Sequence, residues 1–471
     1  MLFPTVTFAA FFLVVLPLSW ALMPRQRLWQ PFVLTASFVF YAWWDWKFVF
    51  LLGGSIVGNH VAAHGIAAAS RERLRKAWLT AAVAFDLGLL GYFKYAGFLV
   101  SSADNVLSRI GVAGASSVVN VTLPVGISFY TFMAISYVVD VYRGQLEPAP
   151  FGRFAVYLSF FPHLVAGPIV RGSELLPQLE RPRDPRRVDT TRAFFLIVSG
   201  LFLKVVIANH LATHLVDDVF AAPDRHSSLE VLVGVYGYAV QIFADFCGYT
   251  NIAIGIALLL GFEFPQNFAN PYTAVSLQDF WRRWHMTLSR WLRDYLYIPL
   301  GGSRKGKLLT YRNLLATMLL GGLWHGAAWT FVAWGGIHGL GLAVERLWRD
   351  LRGGEPRDSA LGRWVGRVVT FHVVCLGWIF FRADSFGRAG QVISQLFTAW
   401  GRPSPLVTTS VLLAIAVGVG GQYVPLRSIG ALAGRFGRLP LPAQAVALAA
   451  CLMVIDTLGP PGVAPFIYFR F

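Results

Sequence analysis

The sequence predicts an all-α protein that crosses a lipid bilayer many times. Three observations carry that prediction. Of 471 residues, 56% are hydrophobic and only 14% are charged, against about a quarter charged in ordinary soluble domains. The mean hydropathy is +0.56. Apolar runs of membrane-spanning length recur between residues 2 and 458, separated by short basic clusters rather than polar linkers. In lipid every backbone amide must find an internal partner, so such runs become helices. This composition excludes a disordered, fibrous or disulfide-stapled chain. The three cysteines (Cys247, Cys375, Cys451) have no paired spacing.

The first run, residues 2–22, has no basic residue ahead of it, while Arg25 and Arg27 follow it. A secretory signal carries its positive charge first, so this run reads as an uncleaved helix with its N-terminus outside. Further spans are expected at 31–44, 50–69, 78–100 and 121–141. That count places the basic cluster 71–76 inside and the weakly charged stretch 101–117 outside, in agreement with the positive-inside rule. Residues 154–170 are too short to span comfortably and contain Pro162, Gly167 and Pro168; a re-entrant segment is expected there. Spans follow at 193–215, 229–260, 309–344 (long enough to enter and return), 368–381, 407–424 and 443–458. The total is roughly ten to thirteen spanning or re-entrant helices, read as one membrane domain over 1–471. Much of the net charge of +16 sits in short basic clusters between spans, such as 71–76, 181–187 and 304–307. It is therefore assigned to membrane orientation and not to nucleic acid.

Residues 241–345 differ from the rest and are read as the catalytic core. Projected at 100° per residue, Trp281, Trp284, His285, Leu288 and Leu292 share one face of a helix. Asp279, Arg282, Arg283, Arg290 and Arg293 share the other. Such a helix is interfacial or re-entrant, with its apolar face packed into protein. His325 lies deep in an apolar run beside Gly321, Gly322 and Gly326. An ionisable group at membrane depth usually faces a cavity or a partner, and a neutral imidazole there can accept a proton. A lone histidine on an apolar face is more often a hydrogen-bonded core residue; by spacing alone that plainer reading is favoured for His285 and loses ground for His325. The pairs His60/His64 and His210/His214 have zinc-compatible spacing but bring no third ligand, and no metal is expected.

The strings Phe280-Trp-Arg-Arg-Trp-His285-Met-Thr-Leu-Ser289 through Gly302, and Gly322-Leu-Trp-His325-Gly-Ala, resemble the signature of the membrane-bound O-acyltransferase (MBOAT) family. Further pieces resemble the alginate O-acetyltransferase membrane-subunit branch. They include Gly91-Tyr-Phe-Lys-Tyr95, Asp140-Val-Tyr-Arg143, Gly377-Trp-Ile-Phe-Phe-Arg382 and the terminal Ala464-Pro-Phe-Ile-Tyr-Phe. The match runs in order along nearly the whole chain. Met133 and Asn251 depart from the branch pattern, which has Gln and Asp there.

The resemblance implies a fold with a thin central septum of re-entrant helices and a funnel from each side. It implies two catalytic histidines, His325 as the principal one and His285 as its companion. The substrate-binding set it implies comprises Trp284, Trp324, Ser289, Arg282, Arg283, Arg290 and Arg293. The implied activity is transfer of an acetyl group, with acetyl-coenzyme A as donor and no permanently bound cofactor. The acceptor would be an exported, alginate-like polysaccharide or a periplasmic relay protein, at the bacterial inner membrane. The rival readings are an exporter of D-alanyl or another acyl group within the same family, a small-anion transporter, and a non-catalytic scaffold.

Overall fold

A computed structural model describes residues 1–111, 121–354, 359–460 and 466–467. Part of the expected outside stretch, 112–117, and most of the terminal motif lie outside the described residues. Among those described, the regular structure is helical, and six helices are long and apolar enough to cross a membrane. Three shorter apolar helices accompany them. The chain forms two compact units, Met1–Asp189 with Ile256–Pro265, and Thr190–Gly255 with Gln266–Phe471.

In the first unit, α1 (Val6–Leu22), α2 (Gln26–Ala42) and α3 (Lys47–Ala68) follow the expected runs. α4 (Glu72–Arg109) contains a π-helical turn at Gly91–Tyr95 and extends beyond the expected end at residue 100. α5 (Ile127–Tyr142) is followed by two short pieces, α6 (Phe151–Ser159) and the single turn α7 (Phe161–Leu164), and then α8 (Gly172–Leu179). Every residue from 154 to 170 is buried. Proline fits the first turn of a helix but not its interior. The helix accordingly breaks at Phe160, and Pro162 sits in the first turn of the next piece. Neither piece is long enough to cross a bilayer.

The second unit begins with α9 (Thr190–Ala221) and with the almost wholly buried α10 (Ser228–Leu259) as far as Gly255. Lys204 of α9 and Asp245 of α10 form an ion pair whose side chains are both nearly inaccessible. The backbone N–H of Ile467 also donates to Asp245 Oδ2 at 2.8 Å. Removing one member of a buried pair strands a charge, typically costing about 3–5 kcal/mol. Lys204→Met is therefore expected to lower the thermal midpoint sharply, and adding Asp245→Leu should recover part of the fall.

Next come α11 (Leu277–Arg283), α12 (Met286–Leu292), α13 (Lys307–His325) and α14 (Trp329–Leu351). The last two form the expected enter-and-return hairpin. It closes tightly because its crossing is glycine: a Cβ on Gly335 would lie 2.2 Å from the Met318 carbonyl oxygen. α15 (Ala360–Arg382), α16 (Phe386–Thr398), α17 (Thr409–Gly420), α18 (Leu426–Phe436) and α19 (Leu441–Leu458) complete the unit.

Candidate active site

The single amphipathic helix expected around His285 is two helices. α11 is capped by Ser276, whose Oγ accepts from the Asp279 N–H at 3.1 Å, and it ends at Arg283. Trp284 is extended, and His285 adopts a left-handed conformation (φ 41°, ψ 55°). Only Asn270 shares a positive φ among the described non-glycine residues. The cause is a pairing with a distant loop. The Ala269 N–H donates to the Arg283 carbonyl and the Met286 N–H to the Asn267 carbonyl, each at 2.9 Å. These bonds clamp the backbone on both sides of His285. Most of the face assignment survives the break: Trp284, His285, Leu288 and Leu292 are buried and Arg282 and Arg293 are exposed, while Trp281 is only half-buried.

The same loop fixes the imidazole. Asn267 Oδ1 accepts from the Thr287 backbone N–H (3.2 Å) and from Thr287 Oγ1 (2.9 Å). A backbone N–H can only donate, so the amide must turn its oxygen this way. His285 Nδ1 lies 3.1 Å from that oxygen and therefore carries the proton. Nε2 is left with its lone pair, buried, and has no hydrogen-bond partner among the described residues. His285 belongs to none of the six spans, is fully buried, and burial holds its pKa well below the usual histidine range. It is a neutral imidazole with an oriented acceptor nitrogen.

His325 is the last residue of α13, and the chain leaves the helix at Gly326. Only 3% of it is accessible. Its ring is held edge-on by Trp324 (5.0 Å), Trp334 (4.9 Å) and Phe381 (5.4 Å). Trp324 also approaches His285, at 6.2 Å between ring centroids. The two histidines thus share one indole neighbour. A cavity of about 290 Å³ lies beside this cluster, lined by Gln241, Thr330, Phe331, Phe381, Arg382 and Asp384 among others. His325 does not line it; Phe381 touches both. Arg382 is held by Asp217 at 2.8 Å.

The remaining expected substrate residues are dispersed in role. Trp284 stacks on Phe280 and packs against Trp378, within the aromatic core. Ser289 Oγ donates to the Trp284 carbonyl at 3.2 Å. Arg283 is paired with Asp279 (2.7 Å) and Arg293 with Asp294 (2.6 Å), which compensates both charges locally. Arg290 is half-buried. None of these residues lines the cavity. Asn267, Gln241 and Arg382 were not anticipated as site residues. Asn267 acts on His285 from 18 positions away, a contact that spacing on one helix does not reveal.

The family model for membrane-bound O-acyltransferases matches residues 87–377. A probable alginate O-acetylase of Azotobacter vinelandii is 43% identical over 373 residues, covering 78% of this chain and 72% of the relative. A peptidoglycan O-acetyltransferase of Helicobacter pylori is 36% identical over 397 residues, covering 79% and 73%. A teichoic acid D-alanyltransferase of Bacillus subtilis is 28% identical over 283 residues, covering 55% and 69%.

Proposed function

The chain belongs to the membrane-bound O-acyltransferase family, and from that premise we propose that it moves an acetyl group from acetyl-coenzyme A to a hydroxyl of an exported, alginate-like polysaccharide or to a periplasmic relay partner. It is a membrane O-acyltransferase; the acetyl group, its donor, the acceptor and the bacterial inner membrane belong to the proposal. The observation that carries it is the pair of buried imidazoles, His285 and His325, gathered around Trp324.

In the proposed reaction His325 takes the proton from the acceptor hydroxyl. The oxygen attacks the acyl carbon, the carbon–sulfur bond breaks, and the departing thiolate receives the proton from His325. His285 enters with Nε2 as an acceptor. Stabilising developing negative charge would need its protonated form, which burial opposes; receiving a hydrogen bond from a second, neighbouring hydroxyl of the acceptor, which keeps its own proton, does not. Among the arginines of this segment, the exposed Arg282 is the one best placed to attract an anionic donor, since Arg283 and Arg293 each serve a carboxylate.

The test uses the full chain in lipid nanodiscs with labelled acetyl-coenzyme A and an alginate oligosaccharide. Label is expected to become covalently attached to the sugar, or to a supplied periplasmic partner. Transfer of D-alanyl but not acetyl groups would redirect the reading within the family, and passage of a small anion without covalent transfer would replace it.

A further inference from the structure

His338 has no part in the reaction above, yet its surroundings are unusual. It lies on α14, one turn beyond Trp334, and is completely buried (0% accessible). Trp334 (4.9 Å), Trp281 (5.2 Å) and Phe280 (6.1 Å) surround it. Neither of its ring nitrogens has a hydrogen-bond partner among the described residues, and the same is true of the buried indole nitrogens of Trp334 and Trp281. A neutral imidazole always presents one N–H and one lone pair. Leaving both unmet in an apolar cage is costly, and a ring needed only as filler would be phenylalanine.

The polar edges also converge. A Cβ on Gly377 of α15 would stand 2.9 Å from His338 Nε2 and 3.3 Å from Trp334 Cδ1, the atom bonded to its ring nitrogen. The outer nitrogen of the imidazole and the polar edge of the indole therefore face one patch of α15. An indole N–H can only donate, whereas the imidazole can give or take. A water oxygen meets both demands, and internal waters typically make about three such bonds to buried polar groups. The same indole also serves the site, since Trp334 meets the His325 ring edge-on at 4.9 Å and 86°.

We propose that His338 and Trp334 hold an ordered water behind the active site, and that this bonded pair fixes the Trp334 ring against His325. His338 is then a positioning residue for acyl transfer. The water stands without the acyl-transfer reading; its kinetic consequence rests on it.

The test compares two replacements of similar length in the purified full chain. Glutamine puts a donor and an acceptor near the place of Nε2, whereas methionine fills the space without them. With a water present, H338Q is expected to melt above H338M by roughly 2 °C or more. Turnover in H338Q should stay within about threefold of the parent, and H338M should fall by about tenfold or more, with donor and acceptor KM unchanged. The reverse order of melting, methionine above glutamine, would mean a buried amide with no oxygen to meet and would overturn the water, as would an H338Q that fails to fold when H338M folds. Parental turnover in H338M would overturn the positioning role. A rise of the acceptor KM confined to H338M would give the oxygen to the acceptor's hydroxyl and likewise reject the water. If the parent itself transfers nothing, the acyl-transfer reading fails, and the order of melting still decides the water.

Discussion

Replacing His325 by alanine is expected to lower acyl transfer by about 10²–10⁴-fold, the usual worth of a positioned general base, while the protein still inserts into the membrane. The residue ends α13 and turns inward among Trp324, Trp334 and Phe381. Its removal leaves a hole in that ring cluster, so some stability is lost as well. The two effects separate by measurement: turnover per folded molecule reports the chemistry, and the thermal midpoint reports the hole. Parental acetyl transfer by a folded His325→Ala protein would remove His325 from the reaction.

The second large effect is expected at a residue that touches no reacting atom in the proposed scheme. Asn267→Leu withdraws the oxygen that receives bonds from His285 Nδ1 and from both polar groups of Thr287. The imidazole is then free to rotate or to carry its proton on the other nitrogen. Loss of a tautomer-fixing partner in other enzymes reaches about 10⁴-fold; here a fall of about 10–10³-fold is expected, because the backbone clamp around His285 remains. Asn267→Asp keeps the acceptor and adds a negative charge, which favours the imidazolium. That variant is expected to retain more activity than the leucine form and to shift the acid limb of the pH profile upward. Equal activity of the leucine variant and the parent would show that His285 orientation does not matter.

Much of the helical outline was legible because apolar length is a strong signal when lipid is the solvent. The runs at 50–69, 229–260 and 443–458 end within three residues of the observed helices. The run at 309–344 divides where Gly326 leaves α13. Periodicity was weaker where a distant contact decides the backbone. It drew one continuous helix through His285, although four of the five residues assigned to its packed face, Trp284, His285, Leu288 and Leu292, are buried. The break comes from hydrogen bonds to Asn267 and Ala269, which no helical projection contains. α16 and α18 were not anticipated, since their apolar residues are interrupted by arginine, glutamine and glycine and never form a long run. His338 escaped notice for the opposite reason: the apolar stretch around it hides one polar side chain.

The left-handed turn at residue 285 gives the position a dual identity. Of the small residues that delete the imidazole, glycine alone rests in that geometry without penalty, while alanine must either bear the strain or distort the clamp. An alanine exchange there reports backbone and side chain together. A glycine exchange isolates the missing ring, and it leaves a void of the shape that free imidazole, added from solution, is suited to refill.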